Sequence, residues 1–260
     1  MADRPAADLP FVQSLERGLE VLHTLSDEPS GLTLAETAQR TGMTRAAARR
    51  FLLTLVELGY AGFDGRQFSL RPRVLELGRA YLSSLHLPDL ALPALEQLAS
   101  EVRETTSLTV LDDDEIVYVA RVSGVRILTV TITVGTRVPA YATSTGRILL
   151  GGLDDGELEP YLARADLRQY TADTTTSPER LVQEIRRARR QGWTIVDQEL
   201  EQGLRSIAAP VHDPEGRVVA AVNISTTTRT SLETMRDSWL PRLRATALHI
   251  GTEYAAHRGP

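Results

Sequence analysis

Apolar residues recur at helical steps near the start of the chain: Leu15, Leu19, Leu22 and Leu25 lie four and three residues apart, on one face of a helix. The run ends in Asp27-Glu28-Pro29-Ser30-Gly31, a turn by composition. Thr33-Leu34-Ala35-Glu36 then has the form of a capping box and predicts a short helix to about Thr41. Gly42-Met43 breaks it, and Thr44 caps a third helix from Arg45 to about Leu58, so the two are joined by a turn of about three residues, the spacing of a helix-turn-helix. On a wheel of about 100° per residue, Ala47, Phe51, Leu55 and Leu58 fall on one side of the third helix, and Arg45, Ala46, Arg49 and Arg50 on the other. Tyr60 to Phe63 and Gln67 to Leu70 flank Asp64-Gly65-Arg66, a hairpin signal that adds a two-stranded wing. Arg71-Pro72-Arg73 opens a further helix with apolar Val74, Leu75, Leu77, Leu82 and Leu85, closing near His86-Leu87-Pro88.

Beyond residue 88 the period changes. Leu90 to Glu104 reads as an amphipathic helix; Ser107 to Leu111, Ile116 to Arg121 and Ile127 to Val134 read as a meander of strands rich in Val, Ile and Thr. Helices are predicted at Thr145 to Gly151 and at Pro178 to Gln191, the latter with Ser177 as cap and Gly192 as stop. Trp193 to Val196, Ser206 to Val211 and Val218 to Ile224 are strands, the last two joined by the turn Asp213-Pro214-Glu215-Gly216, and a last helix runs from about Ser231 to Ala256. The fold class is α+β: a winged helix-turn-helix over 11–71 after a disordered lead-in at 1–10, an interdomain helix over 72–87, and a domain at 88–260 built on an antiparallel sheet with helices on its faces.

Composition narrows the chemistry. The chain has no cysteine, which removes disulfides, thiolate metal sites and thiol nucleophiles, and its five histidines show no metal-ligand spacing; no metal and no cofactor is expected. All 29 basic residues are arginine, so lysine Schiff bases and P-loops ending in Gly-Lys are excluded, and neither G-x-G-x-x-G nor G-x-S-x-G occurs. No apolar run approaches the about 20 residues of a membrane span, and the first ten residues lack the basic and apolar regions of a signal peptide, so no membrane partner and a cytoplasmic location are expected.

The net charge of -5 conceals an uneven distribution: residues 1–86 balance ten arginines against ten acids, yet from Gln39 to Val56 there are four arginines and no acid. Phosphate neutralisation and guanine recognition both call for such a surface, so double-stranded DNA is the expected partner, through Thr33, Arg40, Thr44, Arg45, Ala46, Arg49 and Arg50. The competing reading is a solvated basic face. In the second domain, Tyr141, Thr143, Ser144 and Thr145 stand where a strand gives way to a helix, suited to a small carboxylate or to a plain N-cap. Asp197, Glu199 and Glu201 alternate at a strand end, lining a cavity or facing water; Asn223 and Ser225 share a strand face near Ser206, holding a ligand or bonding backbone. An enzyme using Asp197 and Glu199 as acid and base is the alternative class, but it lacks a nucleophile and a metal site. Asp112 to Glu115 read as a solvated turn, and the arginines at 186, 187, 189 and 190 as a helix face.

Four separated segments resemble the IclR family of bacterial transcriptional regulators: Phe11 to Leu22, the helix-turn-helix from Ala35 to Leu55, Pro139-Ala-Tyr-Ala-Thr-Ser-Thr-Gly-Arg147, and Asp197 to Val211. Tyr141 to Arg147, Trp193 to Ser206 and Asn223 to Thr226 look most like family members that regulate the β-ketoadipate pathway. The resemblance implies a GAF-like effector domain, a homodimer or tetramer on a palindromic operator, and a small aromatic or dicarboxylic acid as effector. It places Gly146, Asp197, Ser206, Asn223 and Ser225 in the effector pocket, with Ser206 where many members carry cysteine.

Overall fold

The computed structural model describes residues 11–78, 86–124 and 132–258, in two units that divide between Ser83 and Ser84. The expected lead-in at 1–10, residues 79–85 of the expected interdomain helix and residues 127–131 of the expected third meander strand lie outside the described residues.

In the first unit, α1 (Gln13–Ser26), α2 (Leu34–Arg40) and α3 (Arg45–Glu57) precede a hairpin of β1 (Ala61–Phe63) and β2 (Phe68–Leu70). Local chemistry sets each boundary. The Thr33 hydroxyl accepts from the Glu36 N–H while the Glu36 carboxylate accepts from the Thr33 N–H, a complete capping box. Gly42, at φ +62°, ends α2: its N–H donates to Gln39, and the Met43 N–H donates to Ala38, a Schellman motif that turns the chain into α3. Thr44 then accepts from the Ala47 N–H. In the hairpin, the Asp64 carboxylate accepts from the N–H groups of Arg66 and Gln67, and Phe63 stacks on Phe68 at 4.4 Å.

The core of this unit is Val21, Leu25, Leu32, Ala38, Met43, Ala48, Leu52, Leu55, Ala61 and Phe68. Two expectations shift here. On α3 the buried line is Ala48, Leu52 and Leu55, with Ala47 and Phe51 half-buried and Leu58 exposed, so the wheel is one residue out of phase. On α1, Val21 and Leu25 are buried while Leu15 and Leu19 face outward. The segment after β2 begins as a 3-10 turn at Pro72–Val74 and continues as helix to residue 78.

The second unit is a curled six-stranded antiparallel sheet in the order β5-β4-β3-β8-β7-β6: β3 (Thr105–Asp112), β4 (Glu115–Val122), β5 (Arg137–Pro139), β6 (Thr194–Asp197), β7 (Leu204–His212) and β8 (Val218–Thr227). Helices α4 (Leu87–Val102) and α8 (Leu240–Arg258) pack against the sheet, as does α5 (Ser144–Gly152), whose side also carries the core of Tyr141, Ile148, Leu150, Tyr161 and Leu181. Among the described residues the strand beside β4 is Arg137–Pro139, and residues 132–134 of the expected third strand lead into a turn closed by the Thr133 and Thr136 hydroxyls. Helix α6 (Asp155–Arg164), opened by a capping box between Asp154 and Glu157, was not expected, whereas α7 (Pro178–Gln191) has its predicted ends. The last helix enters through one turn at Leu232–Thr234 and a π-helical turn at Met235–Trp239.

Candidate functional site

The basic surface is built by α3. With Ala48, Leu52 and Leu55 turned inward, Thr44, Arg45, Ala46, Arg49 and Arg50 are all exposed on the opposite side. Among the described residues no carboxylate pairs with Arg45, Arg49 or Arg50, so three guanidinium forks stand ready for phosphate oxygens or base edges. Thr44 opens α3 as its N-cap, so Arg45 and Ala46 lie in the exposed first turn of the helix. Arg40 is placed differently: it pairs with Glu28 at 3.4 Å, and the Thr33 hydroxyl is spent on Glu36. Arg66 at the exposed hairpin tip went unnoticed in the sequence, where only the turn chemistry around it was legible.

In the second unit a small cavity lies between the entry to α5 and the sheet, lined by Tyr118, Thr143, Ser206, Asn223, Ser225 and Leu204 among others. Register explains the grouping. Val196, Ser206, Ser225 and Thr105 are cross-strand partners over β6, β7, β8 and β3, and two residues further along the strands, on the same face, Ala208, Asn223, Ser107 and Arg121 form a parallel row. Cross-strand partners share a sheet face, so these polar groups converge. Asn223 donates to the Ser225 hydroxyl at 3.0 Å, but its own Oδ1 is buried without a donor. Burial pushes the Tyr118 phenol up to about 12, against a small opposing effect of Arg121, so it stays a neutral hydroxyl at the cavity wall. The free volume is about 20 Å³, the room of about one water.

Of the residues singled out in the sequence, Thr143, Ser206, Asn223 and Ser225 line this cavity. The others do not. Tyr141 is in the core with its hydroxyl donating to the Arg168 carbonyl, and Ser144 and Thr145 are buried in the first turn of α5 with their hydroxyls unpartnered. Gly146 serves close packing: a Cβ there would lie 2.0 Å from the Ala140 carbonyl oxygen, and its N–H is taken by the Thr143 cap. The alternation of Asp197, Glu199 and Glu201 does not put them on one strand face, because β6 ends at Asp197 and Gln198 turns the chain at φ +60°. Asp197 faces away from Val196 and holds Arg205 through both carboxylate oxygens, at 2.7 and 3.0 Å. Glu199 reaches the cavity wall, yet its carboxylate accepts from buried Arg147 at 2.6 Å and from the Thr175 N–H at 2.8 Å. Neither carboxylate is free to serve as acid or base, which removes the residues on which the enzyme alternative rested.

The sequence missed Tyr118, Val196, Leu200 and Leu204 in the wall. Strand register places Val196 by its pairing with Ser206 and Tyr118 by its pairing with Thr109, with Leu204 on the same face of β7 as Ser206; Leu200 lies in the loop after β6, which no register reaches. The four acids at 112–115 bracket the turn as expected, and Arg137 and Arg164 pair with three of them.

A helix-turn-helix with a hairpin wing, followed by a sheet domain that encloses a polar cavity, defines a DNA reader coupled to a small-molecule sensor. Residues 14–65 match the IclR helix-turn-helix domain, and residues 79–252 match the C-terminal domain of bacterial IclR transcriptional regulators. The chain belongs to the IclR family and is a ligand-responsive transcriptional regulator rather than an enzyme. It is 48% identical over 231 residues to the Pca regulon regulatory protein of Pseudomonas putida, covering 87% of this chain and 79% of that one. It is 36% identical over 243 residues to the p-hydroxybenzoate hydroxylase transcriptional activator of Acinetobacter baylyi, covering 91% and 90%. Among solved structures, an IclR homolog of Microbacterium hydrocarbonoxydans complexed with 4-hydroxybenzoate superposes with a TM-score of 0.82 at 28% identity, covering 94% of this chain and 99% of that one. No helix among the described residues is long and apolar enough to cross a membrane.

Proposed function

We propose that this protein controls genes of aromatic-acid catabolism, reading a palindromic operator as a homo-oligomer through residues 11–71 and sensing a hydroxylated aromatic acid in residues 88–260, with 72–87 as the connection. Arg45 and Arg49 contact the duplex from the exposed side of α3, with Thr44, Ala46 and Arg50 beside them. The effector occupies the cavity against Thr143, Ser206, Asn223 and Ser225. The observation that carries this reading is the Asn223 side chain: its Oδ1 is buried with no donor, a costly state that a ring hydroxyl would relieve. The names of the Pseudomonas and Acinetobacter relatives and the 4-hydroxybenzoate held by the Microbacterium homolog support the same ligand class.

The cavity has room for about one water, so an aromatic acid enters only if the lining chains move. Ligand-bound and ligand-free arrangements therefore differ, and that difference is what lets a ligand shift an equilibrium at all. The test is retardation of the protein's own upstream DNA at fixed salt, with and without 4-hydroxybenzoate or protocatechuate. Wild type should bind the fragment with an affinity that one of these acids changes, and the Arg45→Ala/Arg49→Ala double variant should lose binding with its melting temperature unchanged. Unaltered retardation by the double variant would remove α3 as the reading surface, and indifference to every aromatic acid would remove the effector class.

A further inference from the structure

The cavity face carries a cation that the proposed contacts leave unused. From Ile116 to Leu153 the chain contains no acidic residue, although its net charge is -5. That stretch supplies β4 after its first residue, β5 and the whole of α5, and in its described part it brings three arginines. Arg137 is matched by Asp112 and Glu115, and Arg147 by Glu199. Among the described residues no carboxylate pairs with Arg121, and the hydrogen bond it makes there is a long contact, 3.4 Å, from Nη1 to the Ser107 hydroxyl. It is half-buried, and burial lowers its pKa from the ordinary arginine value.

Its place on the sheet makes the vacancy meaningful. Arg121 is the register partner of Ser107, and Ser107 is the partner of Asn223, so all three point to the cavity side, with Arg121 and Asn223 two strands or about 10 Å apart. Tyr118, on the same strand as Arg121, forms part of the wall. An acceptor, Asn223 Oδ1, and, two strands away, a guanidinium that no carboxylate of a described residue pairs describe a ligand with a hydroxyl donor at one end and an anion at the other.

We propose that Arg121 receives the effector's carboxylate, with Asn223 taking the opposite hydroxyl, so that the site selects hydroxylated carboxylates over their neutral analogues. This rests on the cavity being the effector site, and it adds the charge requirement that Thr143, Ser206, Asn223 and Ser225, all neutral, do not impose. Arg121 meets the carboxylate as a two-pronged donor, an arrangement lysine does not reproduce.

The experiment is calorimetric titration of the full chain with 4-hydroxybenzoate, protocatechuate and adipate, each beside its primary amide, for wild type, Arg121→Gln and Arg121→Lys. Wild type should prefer an acid to its amide by about a hundredfold, the scale of a desolvated charge pair. Arg121→Gln should erase that preference by weakening the acid while leaving the amide unchanged, and Arg121→Lys should fall between. Equal loss of acid and amide, or a wild type that binds both alike, overturns the assignment, and the wild-type comparison decides even where the glutamine variant fails to fold. Should the acid that binds be adipate, and the preference still vanish in Arg121→Gln, Arg121 stands as the carboxylate contact, while the Asn223–hydroxyl contact and the aromatic reading fall. Should 4-hydroxybenzoate bind wild type and Arg121→Gln alike, the aromatic reading stands and Arg121 falls. If no carboxylate binds, both are wrong.

Discussion

Glu199 shows how one side chain can hold a wall in place without touching a ligand. Its carboxylate accepts from Arg147 on α5 and from the Thr175 N–H, its carbonyl accepts from the Thr174 hydroxyl, and Arg147 Nε donates to the Tyr141 carbonyl. Three segments far apart in sequence are thereby pinned beside the cavity. Arg147 is only 3% exposed, so removing its partner strands a buried cation. Glu199→Ala should cost about 3–5 kcal/mol, the range for breaking a buried pair by deleting one partner. Urea denaturation of the second unit's transition measures this, and a loss under about 1 kcal/mol would mean that Arg147 finds water or another acceptor. The sequence marked Glu199 as an acid near a strand end. It could not show the pairing, because the partner is 52 positions away and the alternation with Asp197 breaks at Gln198.

At the scale of the element, what was legible was what is decided locally. Thr33, Thr44 and Ser177 cap the helices they were expected to cap, and the Asp64-Gly65 turn forms the hairpin, because each depends on atoms within three residues. The phase of α3 was missed by one residue because the wheel weighs apolar side chains without knowing where Val21 and Phe68 will pack. The short strand at Arg137 to Pro139 was not expected for the same reason: it gains strand character from pairing with β4, not from its own composition. The β7–β8 turn offers a test of local control. Asp213 is drawn upward in pKa by burial, but the N–H and guanidinium of Arg217, hydrogen-bonded at 2.8 and 2.7 Å, outweigh this and hold the carboxyl below its ordinary value. A folded pKa below the unfolded one gives stability that is present above the ordinary carboxylate range and is lost as pH falls through the folded value. Asp213→Asn should therefore destabilise the second unit at neutral pH and flatten its stability profile below about pH 5. A variant whose melting temperature tracks wild type at every pH would show that Pro214 and Gly216 alone set the turn.

At the scale of the whole molecule the question is whether the two units exchange free energy. Each holds its own core, and the arginines of α3 and the cavity under α5 lie in different units. A regulator of this construction works only if the effector binds the DNA-competent and DNA-incompetent arrangements unequally. Linkage then fixes the reverse effect: whatever factor the effector imposes on operator affinity, operator DNA must impose on effector affinity, with factors of about 5–150 being typical. Titrating 4-hydroxybenzoate into protein alone and into protein saturated with its upstream DNA, at one salt concentration, should give two dissociation constants whose ratio equals the ratio of operator affinities with and without acid. The closed state of the cavity makes a ratio different from one the expected result, since entry of the acid displaces the lining chains. A ratio of one would leave both sites intact and unconnected, making the second unit a binding domain without a say in DNA occupancy. The direction of the ratio separates the two kinds of control: tighter acid binding on DNA belongs to a protein that the acid recruits to its operator, and weaker binding to one that the acid releases.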